Sequence, residues 1–407
     1  MLTRREFLPF SLLAAVLKRT AFVSWDDAGP LFASCRLDGS PRGIGRANWP
    51  RWIARHDADI RARLLRGEED SLVNFVLYGV SFTSRTRGED IDGRIGDFLR
   101  AVAKPGSNER LIWLKRVLAR QSQPAESWVR NAVARYLAEQ QQYARDPDVA
   151  QLYRNRGLSV DTNFRPNWAI EQTLADLRRR GVLQSVKRAA VIGPGLDFTD
   201  KDGGFDYYPL QTLQPFALVD SLLRLGLSRD PRVSVFDISA QTLDHIGRTG
   251  RIELVLDRGR QWNPEALAYW RRFGDRIGSP VEALPAPPQV RDVERRAVSI
   301  RPEIVNLLQP RDLNVVTERA NERFDLIVAT NILVYYDEFE RALASLNIAA
   351  MLADGGVFLA NSALPECQIL RLHETGRIDV KYSNEPNDDD RIEIYSGARF
   401  SRPLGPV

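Results

Sequence analysis

From position 166 onward, short apolar runs alternate with amphipathic stretches. That rhythm predicts a parallel sheet with helices on both faces. Trp168 to Arg180 reads as an amphipathic helix ending at Gly181. Ala189-Ala190-Val191-Ile192 reads as a buried strand running into Gly193-Pro194-Gly195. Helix over Pro215 to Leu225, strand over Val233 to Asp237 and helix over Asn263 to Gly274 follow. Phe324 to Thr330 is a third strand. Glu338 to Leu352 is a helix stopped by Asp354-Gly355-Gly356, and Val357 to Asn361 is a fourth strand. Two late runs, around Ile378 to Tyr382 and Arg391 to Ile394, flank the polar turn Asn384 to Asp390 and look like a hairpin. The expected class is α/β: a doubly wound, mostly parallel sheet with an antiparallel C-terminal edge, preceded by an all-α region.

That preceding region follows a helical rhythm. Trp52, Ile53, Ile60, Leu64 and Leu65 recur at near-helical spacing, and Leu72 to Tyr78 is a continuous apolar run. Glu109 to Arg145 predicts two helices broken near Pro124, the second ended by Asp146-Pro147. Arg154 to Asn167 is polar and rich in turn formers. It reads equally as a solvated connector and as a lid bordering the next domain's site. The expected division is 1–25 as a signal or anchor, 26–165 as a mainly helical region, and 166–407 as the α/β domain.

A chain of 407 residues with 43% hydrophobic and 27% charged residues has ordinary globular composition and room for two domains. The net charge of +4 is mild, and no basic stripe is interleaved with aromatics, so nothing points to a specific nucleic-acid partner. Cys35 and Cys367 stand far apart, and the three histidines form no HxxxH spacing, so no metal site is expected. The two cysteines read either as a single Cys35–Cys367 disulfide, which nothing local suggests, or as unrelated thiols. At the N-terminus, Arg4-Arg5-Glu6-Phe7-Leu8 opens an apolar run to Leu17 that Lys18 and Arg19 close. It is too short to span a bilayer as a helix. It resembles a twin-arginine export signal. That resemblance implies a periplasmic or membrane-anchored protein with the twin-arginine translocase as a partner. A short packed helix on a cytoplasmic protein is the alternative.

In an open α/β sheet the ligand sits beyond the carboxyl ends of the strands, where strand order reverses. Gly193 and Gly195 lie directly after the first strand, where a backbone must turn sharply. Asp237 ends the second strand, where a carboxylate can accept both hydroxyls of a ribose. It lies about twice as far past the glycines as the ~20 positions usual for a dinucleotide site, and the third glycine of that fingerprint is missing. An NAD-type oxidoreductase is therefore disfavoured.

These motifs resemble class I S-adenosylmethionine (SAM)-dependent methyltransferases, a family with a Rossmann-like fold. Val191 to Gly195 resembles their first motif, and Asp237 their acidic second-strand end. Leu352 to Gly356 resembles the turn before their fifth strand. Phe324 to Asp337 and Arg311 to Asn314 are closest to the chemotaxis-receptor methyltransferases. The resemblance covers about residues 185 to 365 and leaves the helical region out. Val191 stands where the family often has an acid, and Asp197 where it has a small residue. The resemblance implies S-adenosyl-L-methionine as cofactor, held by Gly193, Pro194, Gly195, Asp197, Asp237, Ile238, Asp312, Leu313 and Asn331. Asn331 and Tyr335 are the implied catalytic positions, with His245 an outlying candidate base. The acceptor is unidentified, and the group implies a protein side chain. The competing reading is an exported, non-catalytic binding or scaffold protein built on the same fold.

Overall fold

The computed structural model describes residues 20–146, 149–197, 206, 209–287, 290–367, 369–386 and 388–397. The twin-arginine-like start lies outside them. In chain order, β1 (Thr20–Phe22) leads to α1 (Trp25–Ser34) and the long α2 (Trp49–Tyr78). Then come α3 (Ile91–Ala103), α4 (Glu109–Ala119), α5 (Ala125–Arg145) and α6 (Val149–Arg156). β2 (Asp161–Thr162) and α7 (Arg165–Arg179) precede β3 (Arg188–Ile192) and β4 (Leu196–Asp197). α8 (Gln214–Arg224), β5 (Arg232–Asp237) and α9 (Ala240–Arg248) follow. Next are β6 (Arg251–Asp257), α10 (Pro264–Arg272), β7 (Gly278–Val281) and β8 (Val293–Ile300). α11 (Pro302–Val305), β9 (Leu308–Asp312), β10 (Glu318–Ala320) and β11 (Phe324–Ala329) lead to a 3-10 turn, Leu333–Tyr335. α12 (Glu338–Met351), β12 (Leu352–Ala360), β13 (Leu372–Lys381) and β14 (Asp389–Gly397) close the chain.

The main sheet has seven strands in the order β13-β14-β12-β11-β3-β5-β9. The chain starts at β3, moves outward through β5 to β9, and returns to β11 on the other side of β3. Strand order therefore reverses between β3 and β11, which is the switch point of a doubly wound fold. All neighbours are parallel except β14, which runs antiparallel to both β12 and β13. The expected antiparallel edge is thus refined. The antiparallel strand is the inner member of the hairpin, and the edge strand β13 runs with the parallel set.

Both faces of the central strands are buried, so they read as continuous apolar runs. Ala189 and Val191 pack into one core with Trp168, Leu174, Leu177, Phe216 and Val219. Ala190 and Ile192 pack into the other with Phe236, Phe358, Leu343 and Ile348. The second core also holds Val23, Leu31, Trp49, Ile53 and Ile60, so the first helices lie on the sheet itself. β1 pairs antiparallel with β10. A third core, with Phe75, Phe98, Leu114, Val129 and Val133, belongs to α2 through α5.

Three features depart from the expectations or decide between them. Between β5 and β9 the chain builds a separate antiparallel sheet, β6-β8-β7. Its strand β6 hides behind a charge. Glu253 is buried because Arg251 pairs with it and the Leu284 N–H donates to it at 3.1 Å. Cys35 and Cys367 are joined in a disulfide, with Cα atoms 5.9 Å apart, so of the two readings of the cysteines the bonded one holds. Helix α2 runs unbroken for 30 residues through Gly67. A Cβ there would meet the Leu158 carbonyl oxygen at 1.6 Å, so only glycine lets that strand of chain cross the helix. Among the described residues, no helix is long and apolar enough to cross a membrane.

Candidate functional site

The loop after β3 turns through Gly193 and Gly195, at φ of +62° and +65°. A side chain in that region costs roughly 1–2 kcal/mol per residue. Space is short as well. A Cβ on Gly193 would meet Ile332 Cδ1 at 2.8 Å, and one on Gly195 would meet the Val160 carbonyl oxygen at 2.8 Å. The crowding at these two Cβ positions comes from the protein itself. Pro194 between them is buried. The Gly193 N–H donates to Phe236 O at 2.8 Å, tying the loop to β5. β4 pairs in parallel with β2, and the Leu196 N–H donates to Val160 O at 2.6 Å. The polar segment before α7 therefore lies against the glycine loop and borders this edge of the sheet.

Asp237 ends β5 and Asp312 ends β9, and the two are direct register partners. Burial pushes the Asp237 carboxyl up to about 6. The N–H groups of Ser239, Gly195 and Ile238 pull it down, and the Asp312 charge pushes it up. The Ser239 N–H donates to Asp237 Oδ1 at 2.7 Å. Asp312 is exposed and paired with Arg61 at 2.7 Å; Arg61 also holds Asp57 at 2.8 Å and Glu318 at 3.1 Å. Ile238 is half-buried against the second core, and Leu313 is one of that core's buried members. The Leu313 N–H donates to Asp237 O at 3.2 Å. Asp197 is buried, and its carboxylate accepts from the Gln211 amide at 3.1 Å. Its carbonyl accepts from Arg110, reaching in from α4, at 2.8 Å.

At the end of β11, Asn331 sits at φ +59°, a conformation that asparagine tolerates better than most residues. Asn361 holds it there. The Asn331 N–H donates to Asn361 Oδ1 at 2.8 Å, and Asn361 Nδ2 donates to Asn331 Oδ1 at 2.6 Å. Gln214, opening α8, donates to Thr330 Oγ1 at 2.5 Å across the switch point. Gln214 Oε1 and Thr212 Oγ1 are buried there with no hydrogen-bond partner. Such groups are rare in folded proteins and call for a ligand or water. Tyr335 stands apart. Its ring packs edge-on against Tyr153 at 5.1 Å, and its phenol, hydrogen-bonded to Ser159, is pushed up by burial. His245 lies on α9, 3.1 Å from Gln241, with its imidazole pushed down by burial.

The structure thus brings Gly193, Gly195, Asp237, Asp312 and Asn331 to one edge of the sheet. It engages Asp197 with Gln211, buries Leu313 in the core and turns Tyr335 toward α6. Sequence reasoning missed Thr212, Gln214, Asn361, Arg61 and Arg110. A glutamine opening an otherwise apolar helix was the one signal available, and only for Gln214.

No family model matches the chain, and curated proteins give no significant match. Solved structures give partial superpositions. The N-methyltransferase NodS from Bradyrhizobium japonicum WM9 is 14% identical, with 58% of this chain and 99% of that one covered at a TM-score of 0.30. The CcbJ methyltransferase from Streptomyces caelestis is 10% identical, with 58% and 97% covered at 0.30. A TehB-like SAM-dependent methyltransferase from Corynebacterium glutamicum is 10% identical, with 57% and 98% covered at 0.27. Superpositions this partial establish neither fold nor activity. The strand order and the switch point define the fold.

Proposed function

We propose that the chain transfers a methyl group from S-adenosylmethionine to an acceptor held at the switch-point edge of the sheet. The observation that carries this reading is Asp237 at the end of the second strand, beside the left-handed glycine loop. The carboxylate would accept the ribose hydroxyls of the cofactor. Gln214 Oε1 and Thr212 Oγ1 are buried acceptors without donors. A cofactor's ammonium group would satisfy both, so the residues present fit the group. The loop Gly193 to Gly195, with Asp197, Ile238, Asp312, Leu313 and Asn331, completes the proposed surround. When bound, the cofactor supplies an electrophilic methyl group. The chain's own contribution is alignment and exclusion of water, which can supply roughly 7–11 kcal/mol of a displacement barrier. Asn331, pinned by Asn361, is placed to fix the acceptor's approach. Tyr335, the second catalytic candidate, packs against Tyr153 with its phenol bonded to Ser159, and has no role in this reading.

Titrating the full chain with SAM and with NAD by calorimetry tests this. Micromolar SAM binding that weakens at least about tenfold in Asp237→Ala supports the reading. No SAM binding overturns it. The pH dependence has a definite sign. Ribose binding needs the ionised carboxylate, so SAM affinity is full above about pH 6 and falls as the pH drops below it.

We further propose that the protein works in an oxidising compartment. Disulfides persist there and are rare in the cytosol. The Cys35–Cys367 bond and the twin-arginine-like start support the same assignment. This favours a second reading, because SAM is made in the cytosol: an exported binding protein that uses the crevice without turnover. SAM binding with no transfer to any supplied acceptor would select it.

A further inference from the structure

Beside the crevice lies a slot of about 70 Å³ walled by aromatic rings. Phe164 and Trp168 come from the start of α7, Trp262 and Trp270 from the chain around α10, and Tyr382 from the tip of the β13–β14 hairpin. The inserted sheet closes it because residues 261 to 263 join the hairpin tip. The Asn263 N–H donates to Tyr382 O at 2.8 Å, and Trp262 bridges to Ser383. The hairpin tip and the start of α7 both lie at the carboxyl ends of the parallel strands, on the crevice side. A polar chain links the two sites. Tyr382 donates to Asp390 at 2.6 Å, Asn361 donates to Asp390 at 3.4 Å, and Asn361 is the partner of Asn331.

Two features state what the slot takes. The indole Nε1 atoms of Trp168 and Trp270 are buried and have no acceptor. Indole nitrogens only donate, so an acceptor oxygen is what this wall lacks. The wall's guanidiniums are already answered. Arg165 pairs with Asp388, and Arg260 pairs with both Asp388 oxygens at 3.1 Å and with Glu385 at 3.4 Å. An anionic ligand would find no free counter-ion on these arms, and neither indole nitrogen offers a cation an acceptor.

We propose that this slot is the acceptor-side pocket and takes an uncharged, phenol-like ring: apolar faces for the aromatic wall and one oxygen for the indole N–H groups. Calling it the acceptor side rests on the methyl-transfer reading. The slot's ligand preference does not. It narrows the protein side chain that the sequence resemblance implied to one class of acceptor, a phenol-like ring.

The test uses the full chain, with p-cresol as probe and toluene, benzoate and benzylammonium as controls of similar size. Binding is followed by saturation-transfer NMR and calorimetry, with a parallel SAM titration. The expected result is that p-cresol binds at least about tenfold more tightly than the controls. Ala266→Leu, which fills the slot, then weakens p-cresol about tenfold and leaves SAM affinity within about twofold. Trp270→Phe keeps a ring and removes one donor, so it narrows the gap between p-cresol and toluene even if the larger substitution does not fold. Acetyl-tyrosine amide binding as well as p-cresol would extend the acceptor to tyrosyl side chains. Its exclusion would confine it to free phenols, and the slot's preference holds in both cases. Equal binding of p-cresol and toluene, or p-cresol binding untouched by both substitutions, overturns the proposal. Selective p-cresol binding without SAM binding keeps the slot and removes methyl transfer.

Discussion

Two additions cover the same edge of the sheet by different physical means. The helical region reaches it with guanidinium groups: Arg61 to Asp312, Arg63 to Glu340, Arg110 to the Asp197 carbonyl. The inserted sheet reaches it with rings, through Trp262 and Trp270 set near Tyr382 and Trp168. Where one partner of a charged contact is buried, as Glu340 is, removing the other leaves it unanswered. A contact held by rings loses area in proportion to what is removed. The helical cover should therefore be brittle and pH-sensitive, and the aromatic cover graded and indifferent to pH. Under the methyl-transfer proposal, that contrast would let one addition close the cofactor's rim and the other shape the acceptor's wall.

The largest break in this comparison should come from Arg110→Ala. Arg110 donates to the carbonyl oxygens of Asp206 and Asp197 and, with Arg94, is a cation facing the buried Asp206 carboxylate. Burial raises the Asp206 carboxyl, and Arg110 opposes the rise most strongly, ahead of the hydrogen bonds from Val80 and Ser81. Loss of a partner from a buried pair costs about 3–5 kcal/mol, measured as a fall in unfolding free energy by denaturant titration. A loss under about 1 kcal/mol would mean that the helical region is not anchored through this residue.

Next in size is the Cys35–Cys367 bond, which ties α1 to the segment ahead of β13. It joins positions 332 residues apart, so the loop it closes in the unfolded chain is long. Reduction or Cys367→Ser should lower stability by about 2–4 kcal/mol. Thiol titration of the oxidised, unfolded chain should find no free thiol, and two after reduction. Two free thiols in protein recovered from an oxidising compartment would refute the bond.

The pH sensitivity of the charged cover is read at Glu340. Burial alone would raise its carboxyl, but hydrogen bonds from His56 and Arg63 outweigh burial and hold it below the usual carboxylate range. A depressed folded value stabilises above the unfolded value of about 4.3, and the gain is lost as pH falls through the folded value. Glu340→Gln should therefore cost about 1–3 kcal/mol at neutral pH, and the difference from the unmodified chain should close in acid. Trp262→Phe, on the aromatic cover, should show a smaller cost that is flat across the same range.

The parts of the fold that could be read from the chain were those where one principle acted alone. Val191, Val235 and Val328 lie in apolar runs that only a doubly buried strand explains, and Asp237 is a lone acid ending such a run. The parts that escaped were those where distant pieces meet. Glu253 disguised a strand because one of its partners, the Leu284 N–H, comes from far along the chain, while the other, Arg251, lies two positions away on the same strand. Gly67 carried no signal of its own, because its role is to let Leu158 cross the helix. Gln214, Asn361 and Arg110 act at the site through contacts that no local spacing encodes. Asn331 was legible as a position, but its left-handed backbone was not, because Asn361 imposes it from the next strand.

The smallest expected effect separates a chemical role for Tyr335 from a packing one. Its ring rests on Tyr153, and its phenol, bonded to Ser159 and raised by burial, stays protonated throughout the physiological range. A group in that state can donate a hydrogen bond and cannot serve as a base near neutrality. Tyr335→Phe keeps the ring contact and removes one hydrogen bond, so stability should fall by only about 0.5–1.5 kcal/mol. SAM affinity should stay within about twofold, and any transfer rate within about tenfold, with the pH–rate profile unchanged in shape. A rate loss well beyond that, or a lost limb of the profile, would make Tyr335 part of the chemistry. It would also mean that the helical cover, which holds Tyr335 through Tyr153 and Ser159, shapes the reacting centre as directly as the aromatic wall does.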